Sequence, residues 1–237
     1  MSNLLSASIG KKLLMSVSGL FLILFLFVHL TLNSFLLLDG VMGYQEGQFF
    51  NAGSHFMATN PFIKIIEPIL ALGFIVHILY SLILTFQNQK ARGPQRYASG
   101  KKTTDVEWAS QNMLVLGIVI FSFLIVHLFD FFLRMRGYIA WEPAEVEFPF
   151  FGTIAKGEDA YTLVKHTFQN PVIVIIYIIG CIALAFHLAH GFWSSFQTIG
   201  WNNKTWMPRL RWISNIVAII IGGGFSVIAL VQFIFFK

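Results

Sequence analysis

Polar segments divide the chain into five long runs of apolar residues, and each run is free of Asp, Glu, Lys and Arg. The runs cover residues 13–38, 69–86, 112–129, 171–199 and 212–236. A helix rises about 1.5 Å per residue, so about 20 apolar residues are needed to cross a membrane. The second and third runs reach that length when they are extended to Pro61 and Leu133. The pattern therefore predicts five membrane-spanning helices, at about residues 13–38, 62–86, 110–133, 171–198 and 209–236.

The composition indicates that lipid, rather than water, surrounds most of the chain. Of its 237 residues, 56% are apolar and 11% are charged, against roughly 25% charged residues in a soluble domain. The single cysteine, Cys181, excludes a disulfide framework, a four-cysteine zinc or iron–sulfur site and covalent attachment of a c-type haem. The sequence has no Walker loop or dinucleotide-binding glycine motif, which argues against a soluble nucleotide-dependent enzyme. We therefore expect an all-α integral membrane bundle, in one domain that spans residues 1–237.

The distribution of charge predicts the orientation of the helices. With the N-terminus on the inner side, the inner segments carry 10 of the 16 basic residues, and the outer segments carry nine of the 11 acidic residues. Basic residues concentrate in cytoplasmic loops, so the N-terminus is predicted to be cytoplasmic. This pattern accounts for the net charge of +5 without a nucleic-acid partner. The longest polar segment, residues 134–170, then lies outside, and we expect it to form a cap or a short amphipathic helix.

Histidine residues stand inside four of the predicted membrane helices. They are His29, His77, His127 and His187 in the first four spans, and the fourth span also contains His190. Ionisable residues within a span are costly and often mark function. A rise of about 1.5 Å per residue puts His29 and His127 about 22–25 Å from the inner surface, and His77 and His187 about 14–18 Å from it. The four histidines therefore form an outer pair, His29 with His127, and an inner pair, His77 with His187.

Two pairs at two depths are what two haems stacked in a four-helix core require, because each iron takes axial ligands from opposite sides. A zinc or di-iron site would hold its histidines at one depth, and a proton relay would not require pairs. Histidines that form hydrogen bonds between helices are the remaining alternative. His190 lies three residues from His187 and about 60° around the helix from it, so the spacing alone does not choose between these two.

Each of the four helices also has a glycine near the depth of the haem that it would not bind. Gly19 and Gly117 lie near the inner depth, and Gly73 and Gly180 lie near the outer depth. A flat macrocycle needs room at these points. Glycine is common in membrane helices, so this pattern supports the haem interpretation only together with the histidines.

Several motifs around these histidines match a known family. They are Val28-His29-Leu30 with Asn33, residues 51–57 (Asn-Ala-Gly-Ser-His-Phe-Met) with Pro61-Phe62, His77 with Tyr80, His127, and residues 186–194 (Phe-His-Leu-Ala-His-Gly-Phe-Trp-Ser). With these motifs the chain resembles, over nearly its whole length, the cytochrome b membrane-anchor subunits of succinate dehydrogenases and fumarate reductases. It resembles the class that has one subunit, five helices and two haems. In that family the fourth ligand precedes a glycine by four residues, which implies His187 before Gly191.

The resemblance implies a role in electron transfer. Succinate would be oxidised at a flavin in a separate flavoprotein subunit. Electrons would pass through an iron–sulfur subunit to two b haems, and then to a quinone, which is menaquinone in this class. The implied axial ligands are His77 and His187 for the inner haem, and His29 and His127 for the outer haem. The basic inner segment 90–102 is where the iron–sulfur subunit would dock, and the complex would lie in the bacterial cytoplasmic membrane.

Reduction of a quinone takes up protons, so polar or titratable groups are expected near the outer haem. Three outer residues are candidates for this quinone site. They are His55 in the family-like run, Glu67 at the mouth of the second helix, and Asp130 just beyond His127. A solvated carboxylate at the membrane surface is the alternative interpretation of Glu67 and Asp130.

Two other functions are compatible with the sequence. One is the cytochrome b subunit of another quinone-linked complex, such as a formate dehydrogenase or a hydrogenase. The other is a proton-coupled transporter in which the histidines form a relay. Such transporters often contain helices that Gly or Pro interrupts near the membrane centre, and we expect no internal proline in these spans. A haem spectrum would separate the transporter from both cytochromes.

Overall fold

The computed structural model of the chain describes residues 8–39, 43–92 and 108–235. In chain order its main elements are α1 (Ser8–Ser34), α2 (Gln48–Thr59), α3 (Pro61–Arg92), α4 (Met113–Met135), β1 (Glu145–Phe150), β2 (Thr153–Glu158), α5 (Ala160–Phe168), α6 (Pro171–Thr198) and α7 (Trp206–Phe235). A 3-10 turn, Phe35–Leu37, follows α1, and a single helical turn, Trp108–Gln111, precedes α4. Five helices, α1, α3, α4, α6 and α7, are long and apolar enough to cross a membrane. The predicted all-α membrane bundle of five helices is thereby confirmed.

Asparagine side chains define the starts of two membrane helices. At α6, the side-chain oxygen of Asn170 accepts the Val172 N–H at 2.9 Å, and Pro171 needs no acceptor in this position. At α3, the side-chain oxygen of Asn60 accepts the Phe62 N–H at 2.9 Å. Both helices therefore begin where an asparagine–proline pair replaces the missing helical hydrogen bonds.

One membrane helix contains a proline, and two others contain a π-helical turn. Pro68 lies within α3, so the expectation of spans without an internal proline is wrong for this helix. Pro68 has no N–H to donate to the carbonyl four residues before it, but it lies only about 10 Å from the outer end of the helix. In α4 a π-helical turn, Leu128–Phe132, directly follows His127, and α7 has a second π turn at Ile219–Gly223. Such turns often occur at functional sites.

The helix α6 lies at the centre of the bundle and packs against α1, α4 and α7. A buried core between α1, α6 and α7 contains Ile23, Leu188, Val217, Ala218 and Ile221. The hydroxyl of Ser214 in α7 is 2.9 Å from the Leu188 carbonyl oxygen of α6. Gly222 permits close contact between these helices, because a Cβ there would lie 2.8 Å from the Cys181 carbonyl oxygen. In this way α7 supports α6, which carries His187.

The outer ends of the membrane helices carry a small unit, the outer cap, formed by α2, the β1–β2 hairpin and α5. Asn51 of α2 joins its parts. The amide nitrogen of Asn51 donates to Asp159 Oδ1 at 3.0 Å, and its side-chain oxygen accepts the Tyr161 N–H at 2.9 Å. Phe148 of the hairpin is fully buried. The expected short helix of segment 134–170 is therefore accompanied by two antiparallel strands that the sequence pattern did not predict.

The hairpin turn has an unusual backbone. Phe151 and Gly152 connect the strands with φ angles of +46° and +81°, and positive φ at both central residues is typical of a type I′ turn. Glycine adopts this conformation freely. A residue with a Cβ adopts it at an energetic cost. The side chain of Phe151 is also 85% exposed. The turn thus places a strained, exposed aromatic residue at the tip of the outer cap.

Candidate functional site

The four membrane histidines lie in two pairs. The ring centroids of His29 in α1 and His127 in α4 are 5.7 Å apart, with the ring planes at 89°. Those of His77 in α3 and His187 in α6 are 6.2 Å apart, with the planes at 72°. The structure therefore brings together the outer pair and the inner pair that the depth estimate predicts. Their role as iron ligands stays a prediction.

Backbone and hydroxyl groups of α1 orient the His77 ring. Nδ1 of His77 is 3.3 Å from the carbonyl oxygen of Met15 and 3.4 Å from Oγ of Ser18. The Ser18 hydroxyl donates to the same Met15 carbonyl at 3.0 Å. With its hydrogen on Nδ1, His77 donates to Met15 and keeps Nε2 as the basic nitrogen. This arrangement is typical of histidines that bind a metal, because the second nitrogen fixes the tautomer and the ring orientation.

The facing histidines have a different environment. Nδ1 of His127 and Nδ1 of His187 are buried and have no hydrogen-bond partner among the residues that the structure describes. A buried polar atom without a partner costs about 1–3 kcal/mol. The lack of a partner for Nδ1 argues against a role of these two histidines as hydrogen-bonding links between helices. Four imidazoles in two facing pairs, each from two helices, are a donor set that fits two b haems.

Glycines lie beside both histidine pairs. A Cβ on Gly19 of α1 would lie 3.2 Å from Cε1 of His77, so Gly19 is at the inner depth. A Cβ on Gly180 of α6 would clash with the ring of Phe123, and the Phe123 ring is 5.9 Å from the His127 ring. Gly180 is therefore at the outer depth. Both positions agree with the depths expected from the sequence.

Open space lies beside two further glycines. A Cβ on Gly117 of α4 or on Gly191 of α6 would have no neighbouring atom within 4 Å among the described residues. Gly191 follows His187 by four residues, so the two lie on the same face of α6. The space beside Gly191 is therefore next to the inner pair. This arrangement is compatible with a flat macrocycle between the helices.

Aromatic rings surround the outer pair. Phe25 stacks on His29 with 5.3 Å between centroids, and Phe225 of α7 lies 5.5 Å from the same ring. Around His127 the neighbouring rings are those of Phe123, Phe131 and Tyr177, at 5.4–6.0 Å. These rings hold the imidazoles in place, and they make the surroundings of the outer pair largely apolar.

His190 has a separate position. Its ring lies 4.9 Å from the ring of Trp193, one turn further along α6, whereas His187 faces His77. The helical spacing left both histidines open as candidates. The pairing in the structure favours His187, the residue that the family resemblance implies.

The three quinone-site candidates have different partners. His55 packs within the outer cap against the rings of Phe148 and Phe150, at 5.5 and 5.2 Å. Glu67 of α3 forms an ion pair with Arg136, just beyond the end of α4. Within the part of the chain that the structure describes, these two candidates pack neither against each other nor against the histidine pairs. The structure thus does not assemble them into one site.

Asp130 is connected to the outer pair through a tyrosine. The hydroxyl of Tyr177 in α6 donates to Asp130 Oδ2 at 3.0 Å, and the Tyr177 ring is 6.0 Å from the His127 ring. Sequence reasoning did not identify Tyr177. A partial signal was present, because Tyr177 precedes His187 by ten residues, or about 15 Å along the helix, which places it on the outer side of the inner pair.

An apolar cavity of about 690 Å³ lies between α1, α2 and the hairpin turn. Its lining includes Phe27, Val28, Tyr44, Phe56 and Phe151. Val28 adjoins His29 in the sequence, so the cavity is near the depth of the outer pair. The size and the aromatic lining are typical of a site for a small hydrophobic ligand.

Charged groups hold the outer cap together. The carboxylate of Glu46 accepts hydrogen bonds from Tyr161 Oη at 2.7 Å and from Lys165 Nζ at 3.1 Å. These two donors lower the pKa of Glu46. Burial, together with the Glu46 carboxylate, raises the pKa of Tyr161. At neutral pH the phenol is therefore a hydrogen-bond donor and Glu46 is ionised.

Comparison with known proteins supports the resemblance described above. The chain is 26% identical over 208 residues to the succinate dehydrogenase cytochrome b558 subunit of Bacillus subtilis (strain 168), and the match covers 87% of this chain and 86% of that relative. No family model matches the chain, and no solved structure matches it significantly. The chain is a multi-pass membrane protein that is similar, over most of its length, to the cytochrome b subunit of a succinate dehydrogenase, and this confirms the resemblance indicated by its histidine motifs.

Proposed function

We propose that the chain is the di-haem cytochrome b membrane-anchor subunit of a succinate:quinone oxidoreductase. It would pass electrons from an iron–sulfur subunit, through two b haems, to a quinone of the menaquinone type. The single observation that carries the proposal is the arrangement of four membrane histidines in two facing pairs at two depths. The similarity to a succinate dehydrogenase cytochrome b558 subunit supports the choice of complex.

In this proposal His77 and His187 hold the inner haem, and His29 and His127 hold the outer haem. A bound haem supplies a one-electron carrier at each pair. The residues of the chain orient the ligands and exclude water. The Met15 carbonyl fixes the His77 tautomer, and the stacked ring of Phe25 fixes the His29 ring.

The flavin and the iron–sulfur clusters would belong to partner subunits on the inner side. A single cysteine cannot bind an iron–sulfur cluster through four thiolates. The proposed docking segment, residues 90–102, lies largely outside the described residues, because only its first three are described. Its basic residues remain the reason for this assignment. We place the complex in the bacterial cytoplasmic membrane, with the N-terminus inside.

Two features support a quinone site at the outer end. The hydrogen-bonded pair of Tyr177 and Asp130 leads from the π turn of α4 to the His127 ring, and it can hold a proton between the phenol and the carboxylate. The aromatic cavity beside α1 offers an apolar volume for a quinone ring. We retain His55 and Glu67 as candidates because of their outer positions.

The proposal is tested by haem content and spectra of the purified complex. A pyridine haemochrome assay and a dithionite-minus-oxidised spectrum should give two b haems per chain. His29→Ala and His77→Ala should each remove or displace one haem, the outer and the inner one respectively. His190→Ala is the matched control for His187→Ala on the same helix, and it should retain both haems. A folded complex without haem would refute the proposal and leave a transporter or a structural anchor.

A further inference from the structure

A second cavity lies at the inner end of the bundle, inward of the inner histidine pair. It has a volume of about 400 Å³ and is lined by Trp193, Gln197, Asn202, Met207, Pro208 and Arg211. These residues come from the last turns of α6, the first turns of α7 and the connection between them. The proposed electron-transfer function does not use this cavity.

The cavity is rich in hydrogen-bond donors. The guanidinium group of Arg211 lies over the ring of Trp193, at 4.6 Å from its centroid. Trp193 is only 8% exposed, and its Nε1 is buried without a hydrogen-bond partner among the described residues. Gln197 and Asn202 add side-chain amides. A guanidinium group together with N–H donors is the chemistry that recognises a phosphate group.

The segment that connects α6 to α7 beside the cavity carries charges of one sign. Residues 199–212 include Lys204, Arg209 and Arg211, and they include no Asp or Glu. The Arg209 guanidinium lies over the Trp206 ring at 5.5 Å. A cationic segment next to a membrane helix attracts anionic lipid head groups, by about 1 kcal/mol for each Lys or Arg near the surface. The segment therefore favours an anionic ligand.

The depth of the cavity corresponds to the membrane surface. Trp193 is five residues before the end of α6 and Arg211 is five residues after the start of α7, so both lie about 7–8 Å below the connection. Trp201, Trp206 and Trp212 are between 41% and 67% exposed. Exposed tryptophans are enriched where the membrane meets water. The cavity is thus at the level where lipid phosphates lie.

We propose that this cavity binds the head group of an anionic phospholipid of the inner leaflet. Arg211 would contact the phosphate, and the indole N–H of Trp193 would donate to the same group. The exposed tryptophans beside the cavity would contact the glycerol and acyl-chain region of the lipid. They favour a lipid over a free phosphate ion or a soluble protein, because neither of these has such an apolar region. This site is separate from haem and quinone binding.

The test is native mass spectrometry of the purified complex in detergent, after addition of phosphatidylglycerol, of phosphatidylcholine, or of inorganic phosphate. The wild-type complex should retain phosphatidylglycerol and should not retain phosphatidylcholine. Arg211→Gln should weaken retention about tenfold, the size expected for one lost charge-assisted hydrogen bond. Arg209→Gln, on the same helix but outside the cavity lining, should weaken retention less than Arg211→Gln, because it removes only the general attraction of one nearby charge.

Trp193→Phe provides an independent variant, because it keeps a ring under Arg211 and removes only the N–H. It should weaken retention several-fold, with haem content per chain unchanged as evidence of correct folding. Equal retention of phosphatidylglycerol in Arg211→Gln, Trp193→Phe and the wild type would overturn the proposal. Displacement of the lipid by inorganic phosphate at the same concentration would identify a free-anion site instead. Loss of the partner subunits from Arg211→Gln with lipid retention unchanged would identify a protein interface.

Discussion

The hydroxyl of Tyr177 donates to the carboxylate of Asp130 at 3.0 Å and so joins the fourth membrane helix to the third beside the outer histidine pair. Asp130 lies in the π turn that follows His127. The π turn shifts the helical register and thereby turns Asp130 towards α6. A carboxylate within a membrane helix is costly without such a partner.

We expect Tyr177→Phe to lower succinate:quinone reductase activity about tenfold, because one hydrogen bond to a charged group is lost beside the outer pair. Asp130→Asn should lower it at least as much, since it also removes the titratable group. Turnover with a soluble quinone analogue and haem content would be measured on the same preparations. Tyr138→Phe, at a tyrosine just beyond the end of α4 that is 75% exposed, is the control and should keep full activity. Full activity in Tyr177→Phe would remove this residue from the proposal.

The ion pair between Glu67 and Arg136 allows two explanations of Glu67 to be separated. If Glu67 serves quinone reduction, Glu67→Gln should lower quinone reductase activity several-fold with both haems spectrally intact. Arg136→Gln breaks the same ion pair but keeps the carboxylate, and it should lower activity less. Each side chain is about one-third exposed, so either change should cost less than about 1 kcal/mol of stability. Equal losses of activity in both variants would show that the ion pair, rather than the carboxylate, is required.

The histidine pairs could be predicted from the sequence because depth depends on one quantity, the rise of about 1.5 Å per residue. The rise and the two spans are enough to put His77 and His187 at the same level. The contact between Tyr177 and Asp130 could not be derived in this way. It depends on how two helices are rotated about their axes, and the π turn in α4 changes that rotation without a clear sequence signal.

The hairpin was missed for a similar reason. Its strands pair through contacts between residues 145–150 and 153–158, and their sequences include Pro149 and Gly157, which are uncommon within strands. The turn contains Phe151 where Asn or Asp would mark a type I′ turn. Neither local propensity nor turn chemistry therefore indicated two strands in segment 134–170.

The contact between Gly19 and His77 predicts a selective effect on the inner haem. A Cβ at Gly19 would lie 3.2 Å from Cε1 of His77, and the two methyl groups of valine would require the ring to move. We expect Gly19→Val to lower haem content from two per chain towards one, with loss of the inner haem. The pyridine haemochrome assay measures the content, and a redox titration identifies the haem that remains. Gly223→Val, in the π turn of α7 where a Cβ would meet open space, is the control and should retain both haems.

The hairpin turn predicts a stabilising substitution. Phe151 has a φ of +46°, and its 85% exposure means that little apolar contact is lost on replacement. Asn adopts positive φ more readily than Phe and is preferred at this position of a type I′ turn. We expect Phe151→Asn to stabilise the hairpin by about 0.5–1 kcal/mol. Hydrogen exchange of residues 145–158 in the purified complex would show slower opening. Phe150→Asn, a neighbour without positive φ that packs on His55, should have the opposite effect. Faster exchange in Phe151→Asn than in the wild type would mean that contacts of the exposed ring outweigh the strain of its backbone.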